Sequence, residues 1–89
     1  MIAMGEFVEL LKEIKDGVDF ENCTNLIDGK FLDSFDIIQI VMMIEEEYDV
    51  KVSAADIIPA NFNSAEALYS LVQKLVDEEY EIIRINGGF

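Results

Sequence analysis

The sequence predicts an all-α domain: a bundle of three longer helices and one short third helix, with a long first loop. Three segments carry apolar residues at helical spacing, and capping signals precede several of the predicted helices. The chain has 89 residues, 52% of them hydrophobic, which suffices for one modest core and no second lobe. We therefore expect one domain over residues 1–79, followed by a loosely ordered tail over residues 80–89.

The first and last helices are predicted from their apolar stripes. The first stripe consists of Met4, Phe7, Leu10, Leu11 and Ile14, and the last of Ala65, Leu68, Leu71, Val72, Leu75 and Val76. Gly17 is placed to follow the first helix in the left-handed conformation. Asn63, with Glu66 three residues later, resembles a capping box for the last helix.

The middle helix is predicted over about Ser34 to Tyr48. Asp33 is its expected N-cap, Asp36 its N3 residue, and Leu32 is placed to pack on Ile37 as a hydrophobic staple. Counting 100° per residue assigns the core side to Ile37, Ile38, Val41, Ile44 and Tyr48. The same count assigns an exposed stripe to Asp36, Gln39, Met43, Glu46 and Glu47. Glu45 fits neither side.

The remaining segments are less regular. Ser53 and Asp56 predict the start of a short helix, which Pro59 is expected to stop within about two turns. The long loop before the middle helix shows no clean period, and we expect its own apolar residues to pin it: Val18, Phe20, Leu26 and Ile27. In the tail, Ile82, Ile83 and Ile85 either extend the packing or form a short strand.

Composition excludes several classes of function. The net charge of −13 disfavours binding to nucleic acid or anionic membranes and favours basic protein partners. No apolar run approaches the ~20 residues of a membrane span, and residues 1–6 lack the pattern of a secretion signal. The single cysteine, Cys23, cannot form an internal disulfide. We expect a cytoplasmic monomer.

Ser34 is the candidate functional residue because it lies where a loop gives way to the middle helix. A helix N-terminus offers unpaired N–H groups that favour a phosphate, while the chain has no histidine to activate the hydroxyl. The position of Ser34 at a helix N-terminus and the absence of histidine together predict that another enzyme modifies Ser34 with a phosphate-linked group. The spacing of the acids fits no EF-hand, the ligand set fits no zinc site, and Asp33 with Asp36 is better explained by capping than by hydrolysis. We therefore expect no metal and no catalytic residue.

The segment Leu32-Asp33-Ser34-Phe35 resembles the attachment motif of the phosphopantetheine-dependent carrier proteins, which include acyl, D-alanyl, peptidyl and polyketide carriers. The resemblance continues through residues 40–50, the short helix at residues 53–58 and the helix from Ser64, and covers roughly residues 3–79. It implies an acyl-carrier-like four-helix bundle that is not an enzyme. Ser34 would receive 4′-phosphopantetheine from coenzyme A through a separate phosphopantetheinyl transferase.

The resemblance also implies cargo and partners. The thiol at the end of the phosphopantetheine arm would hold acyl or aminoacyl groups as thioesters. Its partners would be loading enzymes and downstream transferases with basic docking surfaces, in fatty-acid or secondary-metabolite biosynthesis. The implied recognition residues are Asp33, Phe35, Asp36, Gln39, Met43, Glu46 and Glu47. Phe31-Leu32 before the motif and Phe35 after it are more similar to D-alanyl and other stand-alone carriers than to fatty-acid carriers. The alternative is an acidic helical interaction module without a prosthetic group, in which Ser34 is only a cap residue.

Overall fold

A computed structural model describes residues 3–86, with side chains as far as residue 78. Its elements are α1 (Met4–Ile14), α2 (Ser34–Tyr48), a 3₁₀ turn (Ala54–Asp56), α3 (Pro59–Phe62) and α4 (Ala65–Asn86). This confirms the predicted all-α bundle with three longer helices, a short third helix and a long first loop over residues 15–33. The part of the chain that the structure describes contains no strand.

Helices α1, α2 and α4 share one hydrophobic core. Phe7 of α1 is fully buried, and its ring centroid lies 6.2 Å from that of Tyr48 in α2 and 6.1 Å from that of Tyr69 in α4. The stripe predicted for α4 is buried from Ala65 to Leu75. Burial of this apolar area stabilises the fold and fixes where α2 begins relative to α1.

The helix ends differ in part from the predictions. Gly17 has the predicted left-handed conformation, with φ +82°, but α1 ends earlier, with Lys15 as an extended C-cap. Helix α4 continues to Asn86, so the backbone over residues 80–86 is helical, and the alternative of a short strand is wrong. Residues 87–89 of the predicted tail lie outside the described residues, and the domain boundary at residue 79 stays a prediction.

The short third helix is displaced from its predicted position. A 3₁₀ turn occupies Ala54–Asp56, where the Asp56 carboxylate accepts hydrogen bonds from the Ser53 hydroxyl at 3.0 Å and the Ser53 amide at 3.4 Å. Helix α3 then begins at Pro59, which was expected to stop a helix. Proline has no N–H to lose at the first helical position and its φ already suits a helix, so it starts α3 instead.

Asn63 clamps the first loop to the junction between α3 and α4. Its Oδ1 accepts hydrogen bonds from the amides of Ile27 at 3.0 Å and Asp28 at 3.1 Å, and its carbonyl accepts from the Leu26 amide at 2.8 Å. The prediction that Asn63 caps α4 is therefore wrong: Ser64 takes that role, its Oγ accepting from the Ala67 amide at 3.0 Å.

Apolar residues anchor the same loop, as predicted. Phe20 and Leu26 are fully buried in the core, while Val18 and Ile27 pack against it half-buried. The loop is thus held by both burial and hydrogen bonds, which is how a connection of this length stays ordered next to α2.

Candidate functional site

Ser34 is the first residue of α2, and its side chain is exposed. The predicted capping box holds the helix start: the Asp36 amide donates to Asp33 Oδ1 at 2.9 Å, and the Asp33 amide donates to Asp36 Oδ2 at 3.1 Å. These bonds satisfy two backbone donors beside Ser34. The serine hydroxyl is therefore offered to solvent from a fixed position at the positive end of the helix dipole.

Asp36 does not lie on the exposed surface, contrary to the prediction. The residue is only 5% exposed, and its Oδ2 lies 3.0 Å from Lys15 Nζ. Its carboxylate turns back toward Asp33 to complete the capping box, and Lys15 reaches it from the end of α1. Because Asp36 is buried and already paired with a cation, its carboxylate caps the helix and does not belong to the exposed stripe that the sequence predicted.

The charge state of Asp36 follows from the same contacts. Burial alone would raise its pKa, but the hydrogen bond from the Asp33 backbone and the ammonium of Lys15 outweigh it and lower the pKa below the ordinary value of 3.8. The hydrogen bond to Asp36, with the attraction of its charge, raises the pKa of Lys15. Both groups are therefore charged at neutral pH.

Acid should weaken this cap. Because the folded-state pKa of Asp36 lies below its unfolded value, its contribution to stability is complete above pH 3.8 and is lost as the pH falls through the folded pKa. We expect the difference in unfolding free energy between the wild type and Asp36→Asn to be constant above that value and to shrink below it. Urea unfolding at a series of pH values measures this difference, and a difference that stays level into strong acid would contradict the assignment.

The exposed face of α2 is apolar near Ser34. Phe35 is 65% exposed, Ile38 56% and Met42 54%, and they lie on one side of the helix at intervals of three and four residues. Two predictions are therefore wrong: Ile38 is not in the core, and Met43 is not exposed but packs half-buried against the core. The buried line of α2 instead runs through Asp36, Ile40 and Ile44.

A groove borders Ser34 on the side of the 3₁₀ turn. It has a volume of about 300 Å³ and is lined by Ser34, Ile37, Ile38, Val41 and Ile57. Ile57 and the adjacent Ile58 are 41% and 45% exposed, an unusual state for large aliphatic side chains next to each other. We call Phe35, Ile38, Met42, Ile57 and Ile58 together the apolar patch.

The acidic residues lie at the far end of α2. Glu46 and Glu47 are exposed, as predicted, and so is Asp33 at the other end, while Gln39 is half-buried. Glu45, which fitted neither side in the sequence, accepts a hydrogen bond from the Val52 amide at 2.9 Å and so closes the turn after the helix. The exposed face of α2 is thus apolar beside Ser34, apart from the cap residue Asp33, and acidic about three turns away.

Sequence reasoning missed Ile38, Met42, Ile57, Ile58 and Lys15. A signal existed for the first two, because Phe35, Ile38 and Met42 have the spacing of one helix face. Ile57 and Ile58 carried no such signal, since their exposure follows from the 3₁₀ turn. The pairing of Lys15 with Asp36 joins residues 21 positions apart and is visible only in the fold.

Comparison with known protein families gives a match. The sequence model of the family described as phosphopantetheine attachment site matches residues 7–72. Comparison with curated proteins and with solved structures gave no significant match.

The chain therefore belongs to the phosphopantetheine attachment family and is a carrier protein of the acyl and peptidyl carrier superfamily. This family attaches 4′-phosphopantetheine covalently, and its carrier domains are non-catalytic and interact with phosphopantetheinyl transferases and biosynthetic enzymes. None of the described helices combines the length and the apolar character that crossing a bilayer requires.

Proposed function

We propose that Ser34 is the attachment residue and that the chain carries acyl or aminoacyl groups to partner enzymes. The observation that carries this proposal is the exposed Ser34 hydroxyl at the first position of α2, fixed by the capping box inside the span that matches the family. When bound, the prosthetic group supplies a terminal thiol on a long arm, which holds the cargo as a thioester.

The residues around Ser34 fit such a group. The Ser34 oxygen would form a bond to the phosphorus on the pantetheine side of the coenzyme A pyrophosphate, whose P–O bond breaks to release adenosine 3′,5′-bisphosphate. The hydroxyl proton would pass to a base of the transferase, because this chain has no histidine and Lys15 is engaged with Asp36. The phosphodiester then lies at a helix N-terminus, where backbone dipoles favour an anion.

The apolar patch is the proposed docking surface for partners. Phe35 directly follows Ser34, and Ile38 and Ile57 line the groove that Ser34 borders, so an enzyme that covers the patch also lies beside the attachment point of the arm. Glu46 and Glu47 lie farther along α2 and fit basic residues at the rim of the same partner, which speeds association more than it tightens binding. The groove beside Ser34 supports the proposal that the cargo is an apolar acyl group. Phe35, directly after Ser34, instead supports the proposal that the chain resembles the D-alanyl carriers.

Incubation with coenzyme A and a broad-specificity phosphopantetheinyl transferase tests the proposal. After reduction, which removes any mixed disulfide at Cys23, the intact mass should increase by one phosphopantetheine. Ser34→Ala should abolish the increase. Ser70→Ala is the matched control, since Ser70 is also exposed but lies in the second turn of α4, and this variant should be modified like the wild type.

Three outcomes would contradict the proposal. An unchanged mass of a folded wild-type protein would favour the interaction module without a prosthetic group. A gain that persists in Ser34→Ala would place the attachment at another residue. Enzymatic turnover of a substrate by Ser34→Ala would likewise oppose a purely carrier function.

A further inference from the structure

Lys15 connects the end of α1 to the start of α2. Its backbone is fixed as the C-cap of α1, where its amide donates to the Leu11 carbonyl at 3.0 Å. Its ammonium lies 3.0 Å from the buried carboxylate of Asp36, across a separation of 21 residues. The ion pair therefore joins two helices directly beside the serine.

The Asp36 carboxylate depends on this contact. The same Oδ2 that contacts Lys15 also accepts the Asp33 amide at 3.1 Å, so one oxygen carries both the ion pair and half of the capping box. A carboxylate that is 5% exposed would be costly to keep in place without a cation. It would turn toward water, and the Asp33 amide would lose its acceptor.

We infer that Lys15 is a positioning residue for phosphopantetheine transfer, acting through Asp36 on the orientation of Ser34. This inference rests on the proposed attachment at Ser34. The transferred phosphorus must lie in line with the serine oxygen, and small displacements of a reacting atom cost large factors in rate. Lys15 also offsets one of the two carboxylates that flank a serine destined to carry a phosphodiester.

Steady-state kinetics of the transfer on purified variants tests the inference. Lys15→Met should lower kcat by about 10-fold and change KM by less than about 2-fold, because the apolar patch that docks the transferase is unaltered. Lys15→Arg keeps the cation and should restore kcat to within about 3-fold of the wild type. The matched control is Lys12→Met, which removes the exposed pair of Lys12 with Glu21 at 2.9 Å, one turn earlier in α1, and should leave both parameters unchanged.

Amide hydrogen exchange provides a readout independent of loading. The Asp33 amide, which donates to Asp36 Oδ2, should exchange faster in Lys15→Met, while the amide of the buried Ile44 should not change. Equal acceleration at both amides would indicate general destabilisation and would overturn the inference. A kcat within 2-fold of the wild type for Lys15→Met would also overturn it. If the wild type accepts no phosphopantetheine, the proposed function fails, and exchange of the Asp33 amide alone decides whether Lys15 holds the cap.

Discussion

Replacing Ile38 and Met42 together with Gln is expected to lower kcat/KM for phosphopantetheine transfer by about 30-fold. Both side chains are more than half exposed, so their loss should not disturb the core, and Gln is a good helix former. Central apolar contacts at an interface contribute about 1 kcal/mol or more each, and two of them correspond to about 30-fold. The transfer rate as a function of carrier concentration measures the effect.

The matched control is the double variant Glu46→Gln and Glu47→Gln. It changes two exposed residues of the same helix to the same amino acid and removes charge instead of apolar area. We expect a decrease of about 2-fold to 3-fold that shrinks as the salt concentration rises, because exposed charges act mainly on association.

The reverse ranking would contradict the docking surface. If the Ile38 and Met42 variant is loaded like the wild type while the glutamate variant is slowed strongly, recognition is electrostatic, as the acidic composition alone suggested. Circular dichroism of both variants establishes that each retains the helical content of the wild type.

Asn63→Ala is expected to reduce the free energy of unfolding by about 2 kcal/mol, or roughly 10 °C in melting temperature. The side chain accepts from the amides of Ile27 and Asp28 and donates to the Asp28 carboxylate at 3.1 Å. The backbone at Asn63 is right-handed helical, with φ −75°, so alanine fits without strain. The decrease in unfolding free energy therefore comes from the lost hydrogen bonds of Asn63, at about 1 kcal/mol for each amide left without its acceptor.

Asn22→Ala is the matched control for this variant. Asn22 is exposed in the same loop, and its side chain bonds only to Asp19 among the described residues. Thermal unfolding should show a change of less than about 0.5 kcal/mol. Similar small effects for both variants would mean that apolar burial alone, through Phe20 and Leu26, holds the loop.

Most of the helical framework could be predicted from the sequence because its signals are local. Apolar spacing predicted the stripe of α4, and that of α1 except that Val8 is buried in place of Leu10. Spacing and Asp33 as N-cap also gave the bounds of α2 from Ser34 to Tyr48. Each of these signals lies within a few residues of the feature it specifies.

The orientation of α2 could not be predicted because one charged residue is buried. Treating Asp36 as exposed rotated the predicted recognition face by roughly 100°, which brought in Met43 and left out Ile38 and Met42. The approach of Lys15 from α1, together with the hydrogen bond from the Asp33 amide, offsets the cost of burying that carboxylate. A tertiary ion pair has no signature in the local spacing of either residue.

Competition between similar residues limited the other local predictions. Asn63 and Ser64 are both good N-caps, and the choice fell to Ser64 because the first loop engages Asn63. Pro59 can either end or begin a helix, and the 3₁₀ turn before it decided for the latter. In both cases a neighbouring segment, and not the residue's own capping or helix preference, determines its role.

Localisation of the added mass tests the central claim most directly. Trypsin cuts after Lys30 and Lys51, and the peptide between them contains Ser34 as its only serine, while Cys23 falls in another peptide. After reaction with coenzyme A and a transferase, fragmentation of the peptide covering residues 31–51 should place one phosphopantetheine on Ser34. Its recovery on any other residue, or an unmodified 31–51 peptide from a protein that has gained mass, would contradict the account.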